Sequence, residues 1–186
     1  EGEELPHVRG GEEGGRGQVR AEMVSALREE ARRLGLDGLG IADPAASEHL
    51  GFYGAWIARG LHGEMGYLAR PDAVARRGEL TRTMPEVRSV VGVAQGYAQP
   101  DPPGIPGDPS RAVVARHARG EDYHDVLKTR LLDLLEWIRA QARGRGLSDD
   151  VRGFAYADTG PILERELGRR AGLGWFGKNT MLIHPR

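Results

Sequence analysis

The sequence contains no cysteine. That excludes disulfides, thiol nucleophiles and thiolate-held iron–sulfur centres on this chain, and leaves its redox compartment unspecified. No apolar run approaches the ~20 residues of a membrane span. The first residues lack the apolar core of a signal peptide. The expected location is therefore the cytoplasm, with no membrane partner. An excess of either charge is also missing: 26 Lys and Arg stand against 27 Asp and Glu, and a pI near 6.7 gives no global signature of nucleic-acid binding. Aromatic residues are few, at 6%. Glycine, by contrast, is abundant at 28 of 186 residues, a length that allows one domain with a real core and a tail.

The first 18 residues hold two arginines, five glutamates and many glycines, with almost nothing to bury. They read as a disordered tail, leaving residues 19–186 as the domain. Removing the tail's acidity leaves a mildly basic body, a slight lean towards RNA. From Val19 to Leu34 the apolar residues Met23, Leu27, Ala31 and Leu34 recur at helical spacing until Gly35. Residues 39–42 suit a short strand. Ser47 suits the cap of a second helix carrying Leu50, Tyr53, Trp56 and Ile57, with Trp56 read as core. Residues 89–94, 111–115 and 151–157 are further strand candidates. Between the first two lies a proline-rich loop. Asp122 suits the cap of a long helix with Leu127, Leu131, Leu134, Leu135 and Ile138 inward. Tyr123 and His124 fall in its first turn, where a structural role and a ligand role both remain open. His62 with Glu64, and His117 with His124, lack metal-ligand spacing. This order does not alternate cleanly enough for a doubly wound sheet, and predicts an α+β fold with a mixed β-sheet and packed helices.

The densest chemistry lies in Tyr156-Ala-Asp-Thr-Gly-Pro-Ile-Leu-Glu-Arg-Glu-Leu-Gly-Arg-Arg-Ala-Gly-Leu-Gly-Trp-Phe-Gly-Lys-Asn-Thr180. A strand candidate delivers Asp158, and a turn at Gly160 and Pro161 leads into a helix that Gly172 ends. Asp158 has two readings: a plain N-cap, or an acid at the mouth of a cleft. Gly172, Gly174 and Gly177 spell G-x-G-x-x-G, and with Lys178 they spell G-x-x-x-x-G-K. Phosphate cradles of either kind need a helix after the glycines, and here the helix comes first. Asn179 also stands where a P-loop has Ser or Thr.

Asp158-Thr-Gly-Pro-Ile-Leu-Glu164 followed by Arg170-Ala-Gly-Leu-Gly-Trp-Phe-Gly-Lys-Asn-Thr180 resembles the epoxyqueuosine reductase family, cobalamin-dependent iron–sulfur enzymes of tRNA modification. Trp56-Ile-Ala-Arg-Gly-Leu-His-Gly-Glu-Met-Gly-Tyr-Leu68, Pro85-Glu-Val-Arg-Ser-Val-Val-Gly-Val93 and Ala115-Arg-His-Ala-Arg-Gly-Glu-Asp-Tyr-His124 match in the same order. The resemblance implies a fold akin to cobalamin-trafficking and nitroreductase-like domains. It also implies reduction of epoxyqueuosine to queuosine in a tRNA with a queuosine-type anticodon, an oxidoreductase step in queuosine biosynthesis. By the same resemblance, cobalamin binds at Arg77, Ala115, Asp158, Lys178 and Leu182. Asp158 is the proton donor, and Tyr123 and His124 meet the substrate. The family's two [4Fe–4S] clusters need eight cysteines that this chain lacks. Together with Glu1 in place of an initiating Met, this leads us to expect the N-terminal, cobalamin-binding part of such an enzyme. We expect a monomer served by an electron-donor protein. A cobalamin carrier and a flavin-dependent nitroreductase-like enzyme are the alternatives of similar fold.

Overall fold

The computed structural model describes residues 10–98, 100, 101, 103, 108–147 and 150–185. Helix α1 (Gly10–Arg33) is followed by strand β1 (Gly38–Ala42) and helices α2 (Leu50–Ala58) and α3 (Pro71–Gly78). Strand β2 (Val90–Ala94), the long helix α4 (Tyr123–Gly144), the short helix α5 (Glu164–Arg170) and strands β3 (Trp175–Phe176) and β4 (Leu182–Ile183) complete the order. Three-residue 3-10 turns lie at Gly66–Leu68, Leu80–Arg82 and Arg116–Ala118.

Helices and small sheets make this an α+β fold, as the sequence predicts. The sheets themselves differ from expectation. Among the described residues, β1 pairs with β2 and β3 with β4, both antiparallel, in place of one mixed sheet. Residues 111–115 and 151–157 carry no ladder bonds. The latter run beside β2 and α4, leaving an apolar hollow of about 480 Å³ lined by Val91, Leu131, Leu135, Ile138, Phe154 and Tyr156. Their β-branched and aromatic content gave the strand signal, but that signal reports burial against neighbours more than a backbone preference. The first helix starts at Gly10 and so runs into the segment expected to be a disordered tail. The rest of that tail, residues 1–9, lies outside the described residues.

Why the β1–β2 pair occupies the centre can be read from alternation. Leu39 faces the same side as Ile41, and Val91 the same side as Val93, because successive strand residues point to opposite faces. These four pack against the core of Leu27, Ala31, Leu36 and Leu134, supplied by α1, the turn after it, and α4. Leu36 and Leu134 are the largest fully buried side chains, each stabilising by roughly 1.5–3 kcal/mol. The other face is nearly bare: Gly40 stands opposite Gly92, and Gly38 opposite Ala94. A methyl group added at Gly40 would lie 2.0 Å from the Ala171 carbonyl oxygen. The missing side chains are what let the end of α5 lie directly on the strand. Gly172, with φ +75°, then turns the chain away.

Candidate active site

Asp158 is not a helix cap. Helix α5 begins six residues later, at Glu164, with Leu163 at its N-cap and no side-chain cap. Asp158 itself stands in the left-handed region at φ +56°, a conformation that costs an ordinary L-residue about 1–2 kcal/mol and that Asp and Asn tolerate best. Two contacts hold it there. Its backbone N–H donates to Glu164 Oε1 at 2.9 Å. Its Oδ2 accepts the Tyr123 hydroxyl at 2.6 Å.

The two carboxyls are driven apart in acidity. The Tyr123 hydroxyl, then Glu164, hold Asp158 below the usual carboxylate range. Burial, then the hydrogen bond and charge of Asp158, push Glu164 up to about 7. The same Asp158 contact pushes Tyr123 up to about 12. An exposed carboxyl backed by a half-buried one that keeps its proton near neutrality is an acid–base arrangement.

Helix α4 positions the partners. Asp122 caps it, as expected, accepting the His124 backbone N–H at 2.9 Å, and its Oδ1 lies 2.7 Å from His124 Nδ1. The Tyr123 and His124 rings stack with centroids 4.0 Å apart. His117 meets Tyr123 edge-on at 6.4 Å, and Tyr97 meets His117 at 6.1 Å. A row of rings thus leads from Tyr97 to Asp158. Tyr97, Val113 and Val114 are 56–61% exposed, an uncovered apolar surface in and just before that row. Among the described residues no group of three His, Cys, Asp or Glu side chains is arranged to hold a metal ion.

The remaining expected site residues enter through other contacts. Ala115 opens the 3-10 turn at Arg116–Ala118, its carbonyl accepting Ala118 N–H at 2.9 Å. Lys178 is exposed in the turn joining β3 to β4, which Gly177 and Asn179 brace by bonding to Met181. The segment expected to be a loop is thus a hairpin, β3 pairing with β4. Leu182, in β4, packs over Gly168 of α5. Arg77 lies on α3, its guanidinium 5.8 Å from the Tyr53 ring centre, and shares a small hollow with Ser47, Leu163, Glu166 and Arg170. Asp158, Tyr123 and His124 are therefore brought together directly, and Arg77 belongs to a different set of contacts.

That other set centres on Glu166, which sequence reasoning passed over. It is 4% exposed, and accepts from Ser47 Oγ at 2.6 Å and Glu48 N–H at 3.1 Å, with His49 Nδ1 at 2.9 Å. Arg170, one turn on, lies 3.7 Å away and also binds the Asp43 carboxylate and the Ala45 carbonyl. Ser47 consequently does not cap α2, whose N-cap is His49 with no side-chain bond. Its hydroxyl donates to Glu166 and accepts the His49 N–H at 3.1 Å, just ahead of the helix. Phe176 rests on the same cluster, 5.5 Å from the His49 ring and 5.8 Å from the Arg169 guanidinium. The Lys178 hairpin is thereby fixed to α5. Trp56, read as core, is half-buried and stacks on Tyr53 at 6.0 Å. Only the recurrence of a carboxylate and an arginine four apart, Glu166 and Arg170, signals this hub in sequence.

Comparison with known proteins bears on this geometry. Residues 77–159 match the family model described as epoxyqueuosine reductase QueG, DUF1730. An epoxyqueuosine reductase from Gloeobacter violaceus is 39% identical over 170 residues, covering 88% of this chain and 48% of the relative. A selenomethionine-labelled crystal structure of an epoxyqueuosine reductase superposes with a TM-score of 0.69 at 25% identity, covering 89% of this chain and 42% of that one. Another, holding a tRNA-Tyr epoxyqueuosine-modified stem loop, gives 0.67 at 25% identity with the same coverage. The chain spans just under half the length of the curated relatives it matches. None of its described helices is long and apolar enough to cross a membrane.

Proposed function

The chain belongs to the epoxyqueuosine reductase family, and from that membership we propose that it is the cobalamin-binding, acid-bearing part of an enzyme reducing epoxyqueuosine to queuosine in tRNA. The observation that carries this reading is Asp158: a strained, exposed carboxyl held by Tyr123 and Glu164 at the end of an uncovered row of rings.

The surface suits a broad, flat, amide-edged ligand. Beside Asp158, Tyr97, Val113 and Val114 offer apolar contact and Ala115 offers backbone; the resemblance adds Leu182 for a methyl contact and Lys178 and Arg77 as cations for amide or phosphate oxygens, Arg77 from the separate Glu166 set. Cobalamin, when bound, supplies the reducing chemistry at the epoxide carbon. What the protein adds is positioning and a proton. Asp158, which must first take up a proton against the pull of Tyr123 and Glu164, donates it to the oxygen leaving that carbon, a contribution typically worth ~10²–10⁴-fold. Tyr123 fixes the carboxyl's direction, and His124, stacked on it, meets the substrate. The relative seen with a tRNA stem loop supports a tRNA substrate here. With no cysteine in its sequence, this chain supplies no thiolate to the family's [4Fe–4S] clusters, so electrons come through ligands elsewhere or a donor protein. We place it in the cytoplasm as a monomer.

Titration of the folded chain with hydroxocobalamin tests the reading, by calorimetry and by absorption. We expect binding with the lower base detached. No heat and no spectral change would overturn it, and uptake of a flavin in its place would favour a nitroreductase-like enzyme.

A further inference from the structure

We propose that Glu164 is the positioning residue of the acid: its carboxyl oxygen clasps the Asp158 backbone N–H and keeps a strained turn closed, so that the Asp158 carboxyl stays in front of Tyr123. This rests on Asp158 being the acid, and extends that reading to the side chain that places it.

The turn is a γ-turn. The Thr159 N–H donates to the Ala157 carbonyl at 2.7 Å, across the single residue Asp158, whose φ is +56°. A three-residue turn with a positive central φ is the rare, strained form, and its centre here is an aspartate, not a glycine. Such a conformation persists only where neighbouring contacts impose it. The base of the loop is fixed by packing. Gly160 is buried against the Tyr156 ring, where a methyl group would lie 2.5 Å from ring carbons, and Tyr156 lines the apolar hollow beside Leu135 and Ile162. The tip has no such support, since Asp158 and Thr159 are exposed. Tyr123 and Glu164 reach it instead. Tyr123 donates to Asp158 Oδ2 at 2.6 Å and so holds the carboxyl. Glu164 Oε1 accepts the Asp158 N–H at 2.9 Å and so holds the peptide that the strained φ turns.

Glu164 can do this because it comes from a fixed element. It is half-buried at the start of α5, six residues on from Asp158, and the same helix is anchored by the buried Glu166 and Leu167. Water could accept the same N–H, but from no fixed direction. The turn would then relax to the negative φ that an L-residue prefers, and the carboxyl would leave Tyr123. Losing a hydrogen bond of ordinary strength corresponds to about tenfold in the population of the closed turn.

Two variants of the whole chain test this. Glu164→Met keeps the length and bulk of the side chain and removes the acceptor, whereas Glu164→Gln keeps an acceptor oxygen. Without cofactor, both are read by carbon NMR of ring-labelled tyrosine, the Tyr123 signal being assigned from Tyr123→Phe. The Asp158 contact pushes Tyr123 up to about 12, so in the parent its phenol should still be mostly protonated at about pH 11. In Glu164→Met the titration should move down towards the ordinary value of 10.0, and Glu164→Gln should restore the parent's curve. With cobalamin-loaded, chemically reduced protein, single-turnover epoxide opening should fall about tenfold in Glu164→Met with corrin uptake retained, and Glu164→Gln should rescue it. A Tyr123 titration in Glu164→Met identical to the parent's overturns the clasp, whatever the rate does. Glu164→Gln behaving like Glu164→Met overturns it too, because charge and not the acceptor would then hold the turn. The unaltered chain gives an independent check: its Asp158 amide should exchange with solvent at least about tenfold more slowly than a free amide, and free exchange would refute the clasp even if Glu164→Met failed to fold. An active Asp158→Asn alongside a displaced Tyr123 titration in Glu164→Met would remove the acid and leave the clasp standing.

Discussion

Replacing Glu166 by alanine should be among the most damaging single changes in this chain. The carboxylate is 4% exposed and serves the Ser47 hydroxyl, the Glu48 N–H, His49 and Arg170 at once. Removing one side of a buried ion-pair network costs ~3–5 kcal/mol, because the partners stay buried without an acceptor. Two features pull this towards the lower end. His49 is 44% exposed, and Arg170 keeps the Asp43 carboxylate and the Ala45 carbonyl. We therefore expect a loss of about 3 kcal/mol. With a urea m-value of roughly 2 kcal/mol/M, the unfolding midpoint should drop by about 1.5 M. Acid sensitivity gives a second reading. Burial pushes Glu166 up, but the bonds from Ser47, His49 and Glu48 outweigh it and leave the group below the ordinary glutamate range. A depressed folded value means that its contribution is present above the unfolded value near 4.5 and is lost as pH falls through the folded value. The alanine protein should lack that component of acid unfolding. An unfolding midpoint unchanged in urea, with the same acid limb, would refute the hub.

Gly40→Ala should lower thermal stability by ~1–3 kcal/mol, since its methyl would sit 2.0 Å from the Ala171 carbonyl oxygen. Gly54→Ala, on α2 with nothing within 4 Å, should instead gain ~0.5–1 kcal/mol; equal melting shifts for the two would contradict the close approach of α5 to β1. Tyr123→Phe removes the hydroxyl that most lowers Asp158. The Asp158 carboxyl should then titrate at higher pH by carbon NMR, and an unmoved titration would dissolve the Tyr123–Asp158 contact.

The sequence was most legible where one periodic signal dominated. The stripe Leu27, Ala31 on α1 and Leu134 on α4, the strands around Ile41 and Val91, the Asp122 cap and the Gly172 stop all stand as the residue pattern predicts. It was least legible where side chains reach across long sequence separations. Ser47 carries a good local cap signal and accepts the His49 N–H, yet its hydroxyl proton goes to Glu166, 119 residues away. Asp158 and Thr159 precede Pro161 as caps commonly do, but Tyr123, 35 residues earlier, takes the carboxylate, and the helix starts only at Glu164. The glycines of β1 and β2 carry no mark in the residue pattern and are the seat for Ala171 and Leu173. For the site, residue types left Tyr123 and His124 open between structural and ligand roles, and the family resemblance singled them out together with Asp158. Glu164 was hidden because a glutamate in a helix's first turn has a sufficient local explanation in the helix dipole.

Asp158→Asn is the most direct test of the central claim. Asparagine tolerates the left-handed backbone at least as well, keeps an oxygen for the Tyr123 hydroxyl and leaves the N–H bond to Glu164 in place. Stability should therefore fall by less than about 1.5 kcal/mol, and hydroxocobalamin should still bind. The measurement is the single-turnover rate on an epoxyqueuosine-bearing tRNA stem loop with chemically reduced, cobalamin-loaded protein. The account predicts a drop of at least ~10²-fold with fold and corrin retained; a rate within a few-fold of the parent would contradict it.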